Sequence, residues 1–160
     1  MTAKVFRGYT LGGVPRPLAL VCVKENPLAV AWHTPVNKEP FLYAVAINTE
    51  SYSLELLKQG ADFTINFLPK AYLEEILKAG NTSGRQVNKW EILNLTPERA
   101  REVEANFVKE AILVYECKQV FSQPFQDHYL FVGEVLLIHY KSGKAKPKSY
   151  PLFAGKNLFL

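Results

Sequence analysis

Short apolar runs separated by turn residues are the feature that most limits the fold of this chain. Phe63, Ile65 and Phe67 alternate with polar residues, which is the period of a half-buried strand. The two longest runs flank a turn-like segment at 122–127 and predict a long hairpin, and the first two runs, joined by a Glu-Asn-Pro turn, predict another. The predicted strands are residues 18–23, 28–32, 42–47, 63–67, 111–120 and 129–140.

Helical segments are few and short. Residues 53–59 and 72–78 have apolar residues at helical spacing, and Gly60 and Gly80 are expected to end them. Residues 87–93 are a third candidate. The pattern predicts a mainly β fold with small helices, arranged as a closed or partly closed antiparallel barrel. Without an internal repeat or a domain boundary, a chain of 160 residues is predicted to form one domain, residues 1–160.

Charge and composition exclude several classes of function. The net charge of +4 is mild and diffuse, so it does not argue for nucleic acid binding. No apolar run is long enough to span a membrane and the first residues contain no signal core, so we expect a cytoplasmic protein. Cys22 and Cys117 lie in separate apolar runs, which favours two small core residues over a redox pair. The three histidines lack the spacing of a metal site.

Arg85 and Lys89 form the most chemically informative pair. Both follow the turn residues Ser83 and Gly84, and they lie four residues apart at the start of the predicted third helix. On one helical face, near an N-terminus, two cations repel each other and oppose the helix dipole. An anion such as a phosphate would relieve that conflict. The alternative is that both are solvated surface cations.

A run of lysines near the C-terminus has two interpretations. Its members are Lys141, Lys144, Lys146 and Lys148, around a glycine and a proline. A solvated loop is the simpler interpretation. Local steering of a dinucleotide phosphate is the other.

Polar side chains follow the second and third predicted strands. The turn at 32–37 places an imidazole, a hydroxyl and an amide beside the indole of Trp32, which is either a core residue or a wall for a planar ring. Ser51 and Ser53 precede a helix start, where they either cap the helix or hold a phosphate. His128 opens the last long strand, where a histidine can exchange a hydrogen bond with a ligand or serve the structure alone.

Five segments in this order closely resemble the flavin reductase-like, FMN-binding split-barrel family, in particular its flavoredoxin branch. The resemblance covers nearly the whole chain. The chain departs from the family pattern at Pro27-Leu28, at Asn88 and Trp90 and at Gln126, which bears on substrate preference more than on flavin binding. The segments are residues 15–21, 31–36, 63–66, 83–90 and 127–135.

The resemblance implies a six-stranded, Greek-key split barrel that forms a homodimer and holds FMN near the subunit interface. In such proteins the residues matching Ser53, Lys89 and His128 contact or flank the flavin. A C-terminal aromatic residue, here Phe159 rather than Phe153, lies against the ring. From the residues and the resemblance together, the remaining candidate flavin contacts are Trp32, His33, Thr34, Pro35, Val36, Asn48, Thr49, Ser51, Ser83 and Arg85.

Two functions are consistent with the resemblance. The first is an FMN-dependent oxidoreductase that accepts a hydride from NADH or NADPH and passes electrons to a flavin, a protein or a ferric complex, with His128 beside the nicotinamide. Because the chain lacks a Gly-x-Gly-x-x-Gly fingerprint, the nicotinamide cofactor would bind transiently. The second is a non-enzymatic electron carrier or FMN-binding protein, with the lysine run as a docking patch for an acidic redox partner.

Overall fold

The structure, a computed structural model, describes residues 15–141, 150–155 and 158–159, with the backbone alone for 153–155 and 158–159. Most of the regular structure in it is β. In chain order the strands are β1 (Arg16–Pro17), β2 (Ala19–Val23), β3 (Asn26–Val30), β4 (His33–Asn37), β5 (Leu42–Asn48), β6 (Phe63–Phe67), β7 (Pro97–Arg99), β8 (Asn106–Val108), β9 (Leu113–Pro124), β10 (His128–Tyr140), β11 (Leu152–Gly155) and β12 (Leu158–Phe159).

One large antiparallel sheet carries the fold. Its seven strands are ordered β3-β2-β6-β9-β10-β5-β4, so strands that follow each other in the chain, β3 and β4, form its two edges. A three-stranded sheet, β1-β11-β12, and a two-stranded sheet, β7-β8, complete the described part. The predicted mainly β, antiparallel class is confirmed. The predicted number of six strands is too low for the main sheet because residues 33–37, predicted as a turn, pair with β5 as strand β4.

Both predicted hairpins form. β2 pairs with β3, and the tight turn between them is Lys24-Glu25, with Lys24 at φ 52°. Asn26, predicted as a turn residue, is already the first residue of β3. β9 pairs with β10 over almost their whole length, with two register shifts. The predicted turn at 122–127 is shorter than expected because β9 continues to Pro124.

The helices differ from the predictions at their ends. α1 (Tyr52–Lys58) ends before Gly60, which adopts φ 82°, as expected. α2 (Leu73–Asn81) follows a 3-10 turn and runs through Gly80, which was expected to end it. A Cβ added to Gly80 would lie 2.9 Å from the Cβ of Ala29, so the glycine allows α2 to pack closely on β3.

The third predicted helix, residues 87–93, is wrong. Only a three-residue 3-10 helix, Lys89–Glu91, forms there, and Asn88 caps it by accepting a hydrogen bond from the backbone N–H of Trp90. Arg85 lies in the preceding turn. The expected helical face shared by Arg85 and Lys89 therefore does not exist.

β6 is buried on both faces, where the sequence predicted a half-buried strand. Phe63, Ile65 and Phe67 point into one apolar cluster. Thr64 and Asn66, on the other face, are also fully buried and donate to the backbone carbonyls of Asn106 and Leu20, at 2.7 and 2.9 Å. These hydrogen bonds explain how a strand with polar alternation can lie inside the fold.

The two cysteines are buried and free, as expected of core residues. Burial raises the pKa of Cys22 to about 12, so its thiol stays protonated near neutral pH. Within the described residues, no helix has the length and apolar character needed to cross a membrane.

Candidate functional site

A cleft of about 500 Å³ opens where β3, the end of β5, the start of α1 and the 81–84 segment meet. We call it the main cleft. Its size is in the range of small-molecule binding sites. It is lined by Asn26, Leu28, Ala29, Val30, Ala31, Trp32, Ala46, Ile47, Asn48, Glu50, Ser51, Tyr52, Gly80, Asn81, Thr82, Ser83, Gly84, Lys89 and His128.

One wall of the main cleft depends on Asn26. Its amide nitrogen donates to the Ser53 hydroxyl at 2.7 Å, and both residues are buried. A Cβ added to Gly84 would lie 2.1 Å from the Asn26 amide oxygen. Only a glycine therefore lets the 81–84 segment approach β3 this closely.

Two of the three serines predicted as site residues line the main cleft, and the third lies buried behind its wall. Ser51 is the N-cap of α1 but makes no side-chain capping bond, and it lines the main cleft. Ser83 also lines it, and its hydroxyl accepts a bond from the Arg85 backbone N–H at 3.3 Å. Ser53 was expected to contact a ligand. It lies fully buried behind Asn26, where it orients that amide.

Lys89 is the buried cation of the site, with a relative exposure of only 5%. Its ammonium donates to the carbonyls of Pro27 and Ala79, at 2.7 and 2.8 Å. An ammonium has three donors, and acceptors among the described residues occupy two of them. Burial lowers the pKa of Lys89 to about 8, because desolvation disfavours the charged form.

A second cavity of about 610 Å³ adjoins the main cleft and shares part of its wall. Asn26, Tyr52, Gly84 and Lys89 line both. Lys89 therefore stands at the boundary between the two spaces.

Arg85 does not line the main cleft. Its guanidinium forms an ion pair with Glu55 and lies 5.5 Å from the centre of the Tyr52 ring. Arg85 and Lys89 have different surroundings from those inferred from the sequence, since Arg85 is paired at the surface and Lys89 is buried. Arg85 holds Tyr52, which does line the cleft.

Trp32 and His128 form a stacked pair at the other side of the main cleft. Their ring centres are 4.4 Å apart and their planes differ by 23°. His128 Nδ1 bonds Asp127 Oδ1 at 3.0 Å, and this hydrogen bond lowers the pKa of Asp127. Within the part of the chain that the structure describes, Nε2 is the imidazole nitrogen that forms no hydrogen bond.

Asn48 and Thr49 lie at the junction of β5 and α1. Asn48 lines the main cleft, and its side-chain oxygen accepts from the backbone N–H of Glu50 at 2.8 Å. Thr49 is exposed, and its backbone N–H donates to the Asp127 carbonyl at 3.0 Å. That bond ties the end of β5 to the start of β10, next to His128.

The structure does not bring the rest of the 32–37 segment to the main cleft. Nδ1 of His33 pairs with the Tyr43 hydroxyl at 2.8 Å and Nε2 donates to the Pro17 carbonyl at 2.7 Å, while burial lowers the pKa of His33. Thr34, Pro35 and Val36 are exposed on β4. The side chain of Phe159 lies outside the described residues, so its predicted contact stays a prediction.

Several residues that line the main cleft were not predicted from the sequence. Ala29, Ala31 and Ala46 contribute only small apolar side chains to the lining. Asn26 lies in the Glu-Asn-Pro segment that predicted a turn. The sequence pattern that would have located this wall is an asparagine at the start of a strand and, after it, alanines at alternate positions.

The main cleft has the donor set for a planar ring with a polar, anionic extension. Alanines and the stacked Trp32–His128 pair offer flat apolar surface. Hydroxyls and amides of Asn48, Ser51 and Ser83 offer neutral hydrogen bonds, and Lys89 offers the charge.

The antiparallel barrel and this cleft define a split-barrel protein of the flavin reductase type. The chain belongs to the family with a flavin reductase like domain, whose model matches residues 11–156.

Known relatives cover most of the chain. An uncharacterized protein of Archaeoglobus fulgidus is 34% identical over 125 residues, which are 76% of this chain and 71% of the relative. The crystal structure of an FMN-binding protein from Thermus thermophilus with bound p-hydroxybenzaldehyde is 25% identical, with a TM-score of 0.86 over 99% of this chain and 94% of that one. A flavoredoxin from Methanosarcina acetivorans is 23% identical, with a TM-score of 0.85 over 99% and 92% of the two chains, and it shares the fold.

Proposed function

We propose that this chain binds FMN in the main cleft and acts as an oxidoreductase that takes a hydride from NADH or NADPH and passes electrons to a flavin or a ferric complex. The observation that carries the proposal is the buried ammonium of Lys89 in the same cleft as the Trp32–His128 pair. The FMN-binding relative from Thermus thermophilus supports the choice of flavin.

The residues present fit FMN by their chemistry. A phosphate needs a cation and hydrogen-bond donors, which Lys89 and the hydroxyls of Ser51 and Ser83 provide. A ribityl chain needs amide and hydroxyl partners, and Asn48 and Thr82 line the same space. A planar tricyclic ring needs flat apolar surface, which Ala29, Ala31 and Ala46 leave open.

FMN, when bound, would supply the hydride chemistry itself, and the protein would supply binding, orientation and electrostatics. Lys89 fixes the anionic end. Trp32 and His128 lie on the opposite side of the cleft. There, Nε2 of His128 would position the amide or ribose group of the nicotinamide cofactor. Asp127 holds the imidazole tautomer by its bond to Nδ1.

A steady-state assay tests the proposed activity against the alternative of an electron carrier. NADH or NADPH oxidation that depends on the protein, with added flavin or ferric chelate as acceptor, supports the reductase. Bound FMN that neither nicotinamide reduces, but that a reduced redox protein does reduce, would instead establish the carrier.

The FMN affinity is expected to fall as the pH rises through about 8. Lys89 must be protonated to bind phosphate, and its pKa is about 8 in the free protein. The affinity is therefore full below this pKa and lost above it, by about tenfold between about pH 7 and pH 9. Fluorescence titrations give the affinities for FMN and for riboflavin at each pH. Both ligands contain the same isoalloxazine ring, so a change in its protonation does not alter the ratio of the two affinities.

Lys89→Met is the matched control for the pH dependence. It keeps the length of the side chain without its charge, so its affinity ratio should not change with pH. A pH-independent ratio in the unaltered protein, together with an FMN affinity that is unchanged in Lys89→Met, would show that Lys89 does not bind the phosphate.

We further propose that the chain forms a homodimer through the β9–β10 hairpin. Large apolar side chains are exposed there: Val120, Phe121, Phe125, Leu136, Ile138 and Tyr140, at 40–63% relative exposure. So many exposed apolar residues on one hairpin are typical of an interface. The flavoredoxin-like pattern of the sequence points to a second copy of this chain as the partner.

Light scattering after gel filtration is expected to give twice the mass of one chain at micromolar concentration. Phe121→Asp should shift the mass to one chain, because a carboxylate in an apolar interface costs far more than one in water. Val87→Asp changes an exposed apolar residue elsewhere and should leave the dimer intact. A monomeric unaltered protein would exclude the dimer.

A further inference from the structure

A third cavity, which we call the basic cavity, lies at the far end of β10 from the main cleft. Its volume is about 500 Å³. His128 lines the main cleft and His139 lines the basic cavity, and eleven residues of extended strand between them span about 36 Å. The basic cavity is lined by Glu98, Arg99, Arg101, Phe107, Lys109, Ala111, Ile112, Val114, His139, Tyr140 and Lys141.

Positive charge dominates this lining. Four cations, Arg99, Arg101, Lys109 and Lys141, face one carboxylate, Glu98, which pairs with Lys109 at 3.4 Å. Arg99 and Arg101 have no carboxylate within ion-pair distance among the residues that the structure describes. Two guanidinium groups that form no ion pair with the described residues favour an anion at one concave surface, because their planar donors match phosphate.

The wall of the basic cavity is fixed by a buried carboxylate. Glu116 is fully buried and accepts from the backbone N–H groups of Arg101 and Glu102, at 3.0 and 2.7 Å. His139 Nε2 donates to the same carboxylate at 2.6 Å. These bonds lower the pKa of Glu116 against the effect of burial, so the carboxylate stays charged. It ties the loop before β8 to β9, which carries Glu116, and to His139 of β10.

The floor of the basic cavity is aromatic and aliphatic. Phe107 and His139 stack with ring centres 4.8 Å apart and planes at 27°, and Ile112 and Val114 lie beside them. A small inorganic anion would leave this surface unused. A ligand that joins a planar ring to a phosphate would use both parts of the cavity.

We propose that the basic cavity binds a nucleoside phosphate, with the phosphates at Arg99, Arg101 and Lys109 and the base against the Phe107–His139 surface. The basic cavity shares no lining residue with the main cleft, although Arg99 also lines the second cavity beside Lys89. Ligand binding at the basic cavity can be measured in the protein with or without FMN. A negative result for the basic cavity is therefore distinguishable from a negative result for FMN binding in the main cleft.

Calorimetric titration of the full chain with ADP tests this site. We expect micromolar affinity, and at least about tenfold weaker binding of adenosine and of inorganic pyrophosphate, each of which lacks one half of the ligand. Saturation with FMN should leave the ADP affinity unchanged. No ADP binding at about 1 mM, or loss of it when FMN is present, would overturn the proposal.

Arg101→Ala is the informative variant because the backbone N–H that holds Glu116 is retained. It should weaken ADP binding about tenfold or more while FMN binding stays the same. Lys118→Ala, an exposed lysine of β9 that lines none of the three cavities, should change neither. Equal ADP affinity in Arg101→Ala and the unaltered protein, or pyrophosphate binding as tight as ADP, would contradict a nucleoside phosphate site.

Discussion

Lys89→Ala is expected to weaken FMN binding about ten- to a hundred-fold. Loss of a charge-assisted hydrogen bond to phosphate costs about 1.5–3 kcal/mol, and 1.4 kcal/mol corresponds to a factor of ten. Quenching of flavin fluorescence in an equilibrium titration measures the affinity. Lys70→Ala removes an exposed lysine outside the cleft and should leave the affinity unchanged.

Comparing the riboflavin and FMN affinities of Lys89→Ala distinguishes the effect of the Lys89 charge from that of its structural role. The carbonyls of Pro27 and Ala79 lose their donor in the alanine variant, which destabilises the wall of the cleft for any ligand. Riboflavin lacks the phosphate, so its affinity should change much less than that of FMN. Equal losses for both flavins would mean that Lys89 acts only by supporting the fold.

His128→Ala is expected to slow flavin reduction about ten- to a hundred-fold while FMN remains bound within a few-fold. The anionic anchor at Lys89 lies on the opposite side of the cleft, so binding should persist. Reduction should slow because a donor held in the wrong geometry reacts far more slowly. Stopped-flow bleaching of the oxidised flavin band with NADH or NADPH measures the rate.

His128→Phe distinguishes the imidazole from the stacked ring. It keeps an aromatic partner for Trp32, whose ring centre lies 4.4 Å from that of His128, but it has no ring nitrogen. Equal slowing in both variants assigns the effect to the nitrogen. An unchanged rate in His128→Ala with FMN in place would exclude His128 from the site and favour the electron carrier.

The strands were predictable because short apolar runs and the alternation of apolar and polar residues can be seen in the local sequence. β2, β3, β5, β6, β9 and β10 all fall within a few residues of their predicted limits. β4 was missed because His33, Thr34 and Asn37 resemble turn residues, and only pairing with β5 makes them a strand. Gly80 resembled a helix stop, although its role is the close contact with Ala29.

The candidate site was only partly predictable. The main cleft is lined by Lys89, Ser51, Ser83, Asn48, Trp32 and His128, and their contact with a flavin stays a prediction. The sequence does not show that Arg85 pairs with Glu55 or that Ser53 supports Asn26, because both contacts join segments far apart in the chain. Side-chain partners across such separations depend on tertiary packing.

Titration of the flavin-free protein with FMN, followed by absorbance and fluorescence, tests the central claim most directly. The main cleft predicts saturation at about one FMN per chain, with Lys89→Met shifting the midpoint to about tenfold or more higher concentration. Absence of saturable binding in the folded protein, or binding that is the same in Lys89→Met, would contradict the claim that this cleft holds FMN through its buried lysine.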